Sequence, residues 1–161
     1  MLRRSFVFST TAFLTACAMG TGNLALAPNS TLIVVRHSDR DGEDLSAAGH
    51  ARSKALVKAL EGMDLDAIFS PGIKRNLDTA APLAKARGLP AQRIPQETPT
   101  AGLVTQGAGK SVIWIGNKGN IKTIWEDLRL SDPAPLEYGD LHILRSDAGG
   151  AVTIERRRFG A

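Results

Sequence analysis

Thr31-Leu32-Ile33-Val34-Val35-Arg36 is a short run of β-branched and aliphatic residues that ends in a charge and leads straight into His37. A run this apolar on successive residues is the composition of a strand covered on both faces, the kind found in parallel sheets. The next hundred residues support that placement. Ser46 is suited to cap a helix over 47–62, in which Ala48, Ala51, Ala55, Leu56, Ala59 and Leu60 recur at helical spacing. Residues 66–70 (DAIFS) read as a second strand, and Pro71-Gly72 turns the chain into a helix over 74–87 that Gly88-Leu89-Pro90 ends. A weak strand is expected over 92–94 and a clear one over 111–116 (SVIWIG), with a helix over 121–130 behind it. Residues 140–145 and 151–158 alternate apolar and polar side chains around Ala148-Gly149-Gly150, the pattern of a hairpin. The polar stretch over 95–110, rich in Gly, Thr and Gln, reads as a loop across the sheet. Strands alternating with helices predict an α/β fold: a single three-layer domain with a mostly parallel sheet, helices on both faces and a C-terminal antiparallel hairpin.

A length of 161 residues accommodates one such domain and hardly two. The start of the chain has a different character. Arg3 and Arg4 precede an uncharged run over 6–16, which closes in Leu14-Thr15-Ala16-Cys17. A positive start, a hydrophobic run of roughly 7–15 residues and small residues before a cut are the requirements of a secretion signal, and the run is shorter than the roughly 20 apolar residues a bilayer span needs. Leu-Thr-Ala-Cys resembles the bacterial lipoprotein processing site, which makes Cys17, the sole cysteine, the expected lipid attachment point. Residues 1–17 are thus expected to be a signal peptide with lipobox, 18–30 a tether and 31–161 the folded domain. Ala18 stands where an aspartate tends to retain lipoproteins in the inner membrane, so the expected location is the periplasmic side of the cell envelope, anchored in the outer membrane. Arg3-Arg4-Ser5-Phe6-Val7 also resembles a twin-arginine export pattern, and the sequence leaves both export routes open.

The formal charge of +4 falls to +2 without Arg3 and Arg4, and the remaining basic residues are scattered rather than clustered. A nucleic-acid partner is therefore not expected.

Ligands of open α/β sheets bind beyond the carboxyl ends of the strands. The residues there are Arg36, His37, Ser38, Asp39 and Arg40 after the first strand, Ser70 and Arg75 after the second, and Gly116, Asn117 and Lys118 after the later one. Arginines beside a histidine and at a helix N-terminus suit a phosphate dianion. Val-Val-Arg-His at 34–37, Leu-Ser-Ala-Ala-Gly at 45–49 and Phe-Ser-Pro-Gly-Ile-Lys-Arg-Asn-Leu-Asp-Thr-Ala at 69–80 resemble, in order and spacing, three signatures of the histidine phosphatase (phosphoglycerate mutase-like) superfamily. The resemblance covers residues 31–158, and short bacterial members share the final hairpin.

It implies two-step phosphoryl transfer in a phosphomonoester hydrolase. His37 would take the phosphoryl group, Arg36 and Arg75 would bind its oxygens, and water would hydrolyse the phosphohistidine; neither metal nor cofactor is called for. The expected partner is a phosphorylated small molecule or phosphoprotein. The family pattern also carries a second histidine after the strand that SVIWIG resembles. Here an ungapped match puts Asn117 there, and a slide by one puts Lys118. An asparagine supplies a hydrogen bond without charge, and a lysine supplies charge without the fixed geometry of an imidazole. Hydrolysis weakened by this loss is one reading. The other is a catalytically silent phosphate-binding or structural envelope lipoprotein. Glu97 and Asp39 are candidate proton donors, whereas His50 and His142 read as exposed or packed side chains. Mutases of the superfamily carry longer insertions than this chain has room for.

Overall fold

The computed structural model describes residues 24–160; the expected signal peptide, Cys17 and the first part of the tether, 18–23, lie outside them. The chain forms β1 (Thr31–Arg36), β2 (Arg40–Asp41), β3 (Asp44–Leu45), α1 (Ala47–Ala59), β4 (Ala67–Ser70), α2 (Lys74–Arg87), β5 (Ala91–Arg93), α3 (Pro99–Gln106), β6 (Ser111–Gly116), α4 (Lys118–Asp127), β7 (Asp140–Ser146) and β8 (Val152–Arg158). Six strands make one sheet in the order β5-β4-β6-β1-β7-β8, with β2 and β3 as a separate two-stranded hairpin. β5, β4, β6 and β1 run parallel, and β7 and β8 add an antiparallel edge. This is the predicted architecture.

The period-2 alternation of strand side chains divides the core in two. Leu32 and Val34 join Phe69, Trp114, Ile121, Ile124 and Trp125 on one face. Ile33 and Val35 join Leu56, Ile68, Leu83, Ile113 and Ile115 on the other. With both faces covered, β1 and β6 must be apolar throughout their interiors, and they are. β1 is central, so the residues that come after it lie in the middle of the sheet's carboxyl edge.

Three expectations are corrected. Residues 95–110 are not all loop: Pro99 opens α3, and Leu103 is buried. Proline at the first helical position forfeits an N–H that has no intrahelical partner anyway. The last helix begins at Lys118 rather than Ile121, three polar residues ahead of its apolar stripe, and ends at Asp127 rather than Leu130. The first helix closes at Ala59. The β2–β3 hairpin, with Gly42 in the left-handed region at its turn, is an element the sequence did not disclose.

Gly49, from the Leu-Ser-Ala-Ala-Gly stretch, shows why that stretch matters to the site. A Cβ at Gly49 would lie 2.0 Å from the carbonyl oxygen of Asp39, so the segment after His37 can cross α1 at this height only over a glycine. The same carbonyl accepts the Ser46 N–H at 3.0 Å. Ser46 Oγ in turn caps α1 by accepting from Gly49 N–H at 3.1 Å. Gly49→Ala is expected to lower stability by about 1–3 kcal/mol, the usual range for overpacking, read as a lower urea midpoint. An unchanged midpoint would show that the segment moves aside freely.

Candidate active site

The ladder between β1 and β6 ends with Arg36 opposite Gly116, and the His37 N–H donates to the Gly116 carbonyl at 2.9 Å. That bond brings Asn117, the next residue, alongside His37 at the carboxyl edge of the sheet. A side chain at 116 has no room, since a Cβ there would lie 2.2 Å from Trp114 Nε1 and 2.4 Å from Asn120 Oδ1. Asn120 Oδ1 accepts from Trp114 Nε1 at 3.1 Å and from the Asn117 N–H at 2.8 Å. The strand-to-helix turn is thereby fixed, with Asn117 at the N-cap of α4 and Lys118 its first helical residue. Lys118 Nζ lies 3.2 Å from Glu137 Oε1 in an exposed ion pair.

His37 is buried at 3% exposure. Its Nδ1 lies 2.8 Å from the Ser38 carbonyl. A carbonyl only accepts, so Nδ1 carries the hydrogen and Nε2 keeps its lone pair. Burial pushes the imidazole pKa down to about 4, and the charges of Arg36, Arg75 and Arg40 add to the effect against the opposing Ser38 hydrogen bond. The ring is therefore neutral at neutral pH, as a nitrogen nucleophile must be. A histidine held neutral in the folded state contributes stability that is complete above its unfolded pKa, near 6.5, and that falls away as pH drops toward 4. His37→Gln is expected to flatten the stability profile across that window in thermal unfolding. An identical pH slope in the variant would contradict the buried, neutral state.

Arg36 and His37 leave β1 on opposite faces. The Arg36 guanidinium lies over the Tyr138 ring, 3.9 Å from its centroid. It donates to the Leu136 carbonyl at 3.2 Å and to Tyr138 Oη at 3.1 Å. The Tyr138 and His37 rings are tilted at 59°, with centroids 5.8 Å apart. On the other side, the Ser38 N–H donates to Thr79 Oγ1 at 2.9 Å, and Thr79 Oγ1 donates to the Arg75 carbonyl at 2.8 Å. The segment after His37 is thus tied to the first turns of α2, which carry Arg75. Arg75 Nη1 lies 3.0 Å from Glu43 Oε2 at the end of the β2–β3 hairpin. The Nε atoms of Arg36 and Arg75 are both buried without a hydrogen-bond partner among the described residues.

The remaining candidates fall outside this group. Asp39 is held by Arg52, whose Nε lies 2.5 Å from Asp39 Oδ2; this hydrogen bond keeps the carboxyl ionised below the usual carboxylate range. Arg52 also donates to the carbonyls of Phe159 and Gly160, which makes the pair a clasp on the chain's end. Asp39 is thus a poor proton donor. Glu97 is exposed in the turn before α3 and makes no hydrogen bond or ion pair with the described residues of this group. Ser70 Oγ accepts from the Gly72 N–H at 3.1 Å and shapes the turn into α2. His50 is exposed on α1, and His142 is packed against Trp125 at 5.7 Å between ring centroids. Tyr138 and Glu43 are contacts that sequence reasoning missed. Tyr138 is the only tyrosine in the chain, but nothing in the irregular 133–138 segment marks it as a neighbour of Arg36.

Residues 29–96, from β1 through β5, match the model of the histidine phosphatase superfamily, branch 1. The likeness is to that superfamily and spans less than half of the chain. The match ends ahead of β6, the strand that precedes Asn117. No curated protein matches the chain. Among solved structures the fold is similar to mycobacterial glucosyl-3-phosphoglycerate phosphatase in complex with inorganic phosphate, at 15% identity, TM-score 0.59, covering 82% of this chain and 97% of that one. It is similar also to YhfR of Bacillus stearothermophilus, at 18% identity and TM-score 0.59, covering 77% and 94%. A third likeness is to the protein histidine phosphatase SixA complexed with tungstate, at 19% identity and TM-score 0.58, covering 80% and 96%. At these identities the likeness establishes the fold alone, and Arg36, His37 and Arg75 stand at its carboxyl edge.

Proposed function

We propose that this domain is a phosphomonoester hydrolase in which His37 takes the phosphoryl group and water then releases it from the phosphohistidine. The observation that carries the reading is the pair of buried, unpartnered guanidinium Nε–H groups of Arg36 and Arg75 around a neutral imidazole. An unsatisfied buried donor costs about 1–3 kcal/mol, more when charged. These Nε atoms are closed to solvent, so a phosphoryl group accepts both bonds once the guanidinium groups turn toward it, and it then repays that cost. The two arginines then neutralise the charge spread over the oxygens, while Nε2 of His37 supplies the electron pair. That two of the similar structures hold phosphate or tungstate supports a phosphorylated small molecule or phosphoprotein as substrate.

Asn117 in place of a second histidine favours slow turnover, and it also supports a second reading, a domain that binds a phosphorylated ligand without hydrolysing it. Release of phosphate from an aryl phosphate by the chain from residue 18 onward, with inorganic phosphate as competitor, separates the two. Turnover with competition supports the hydrolase. Competitive binding without turnover supports the silent form, and neither removes both readings.

The export reading rests on Arg3, Arg4, the uncharged run over 6–16 and Leu-Thr-Ala-Cys at 14–17. It places the domain in the periplasm on a lipid at Cys17. Fatty-acid labelling lost in Cys17→Ser is the expected result; labelling that persists in the variant contradicts it.

A further inference from the structure

Between His37 and α1 the chain makes the small β2–β3 hairpin, which carries three carboxylates opposite in charge to the pocket it borders. Asp41, Glu43 and Asp44 are all exposed on it. Asp44 is paired with Lys74 at 2.8 Å, and Glu43 reaches Arg75 at 3.0 Å. The two partners of the latter pair differ in freedom. The Arg75 side chain is 18% exposed and held on a helix, whereas that of Glu43 is 77% exposed and makes no other hydrogen bond among the described residues. A carboxylate is a one-charge mimic of a phosphoryl group, and a phosphoryl dianion arriving at Arg75 meets Glu43 already seated on the Nη1 it needs.

We propose that Glu43 sets the substrate class of the site, leaving Arg75 when a phosphoryl group binds and then facing the leaving group at the pocket mouth, where it selects against anionic leaving groups and favours neutral or cationic ones. This rests on Arg75 binding the phosphoryl group. With its carboxylate turned outward, the hairpin presents Asp41 and Glu43 to whatever is esterified to the phosphate, and Arg40, which donates to the Gly42 carbonyl at 2.8 Å, is the one cation on the same hairpin. Like charges at such a mouth repel by an amount that salt screens, so discrimination is greatest at low ionic strength. Release of Glu43 is cheap, because exposed ion pairs are worth little.

The test is calorimetric binding of two small monoesters, phosphoglycolate with a carboxylate and phosphoethanolamine with an amine, to the wild-type chain, Glu43→Gln and Arg75→Ala. The wild type is expected to prefer phosphoethanolamine. Glu43→Gln is expected to shift the ratio of the two dissociation constants toward phosphoglycolate by about two- to fivefold, to tighten both relative to wild type by freeing Arg75, and to lose most of the salt dependence of the ratio. An unchanged ratio in Glu43→Gln, with binding still lost in Arg75→Ala, overturns the inference and leaves the phosphate site intact. Binding that Arg75→Ala does not weaken overturns both the inference and the phosphate site itself. The ratio needs no turnover, so a catalytically silent domain is tested equally well.

Discussion

His37→Ala is expected to lower hydrolysis of an aryl phosphate by about a thousandfold or more, to the level of the uncatalysed background. The size of the effect reflects what the side chain does. In the proposed mechanism it supplies the electron pair that forms the new bond to phosphorus. Groups that act as one catalytic unit fail together, so deleting the nucleophile forfeits the contribution of the arginines to the chemical step as well. Binding of inorganic phosphate should survive, because the Nε–H donors of Arg36 and Arg75 remain. Loss of turnover with phosphate affinity retained within a fewfold is the signature, read from kcat on one side and calorimetry on the other. Turnover that persists in the variant assigns the chemistry to another group.

Asn117→His is expected to move the rate in the opposite direction. Asn117 lies directly after Gly116, whose carbonyl accepts the His37 N–H at 2.9 Å, which sets it beside His37 at the carboxyl edge of the sheet. Losing one preorganised donor to the transition-state oxygens typically costs about a hundred- to a thousandfold in rate. Restoring a cationic donor should recover about a hundredfold in kcat, with a smaller change in KM, since the gain is in the transition state. A rate unchanged or lowered in this variant means that Lys118 or Arg40 already fills the role, or that the pocket no longer serves catalysis.

The centre of the sheet was legible in the sequence because β1, β4 and β6 are buried on both faces. TLIVVR and SVIWIG are continuous apolar runs, and DAIFS is bounded by a Pro-Gly turn. The placement of Arg36, His37 and Arg75 at one edge was legible for a related reason: the fold puts residues after such runs there, and the arginines fall there in a recognisable pattern. What escaped was either polar or tertiary. The first turn of α4, Lys118 to Asn120, has no apolar residue to register a helical period, and its start is declared only by Asn117 and Asn120. α3 is hidden by Gly, Thr and Gln, although Ile94 packs so close to Gly102 that a Cβ there would lie 2.7 Å from it. The partners of the two arginines lie 32 residues away, for Glu43 and Arg75, and 102 residues away, for Arg36 and Tyr138. No local pattern reports such pairs. Asp39 misled in the same way: its position two residues past His37 suggests an acid, and only the fold shows Arg52 holding it ionised.

A covalent phosphoryl group on His37 is the step on which the hydrolase reading depends, and it is tested most directly by quenching the protein during turnover of a radiolabelled phosphomonoester and locating the label. The expected result is label on the wild-type chain that is stable to base, released by acid and mapped to the peptide containing His37, with none on His37→Ala. Turnover without label on His37, or equal label on the alanine variant, would contradict it.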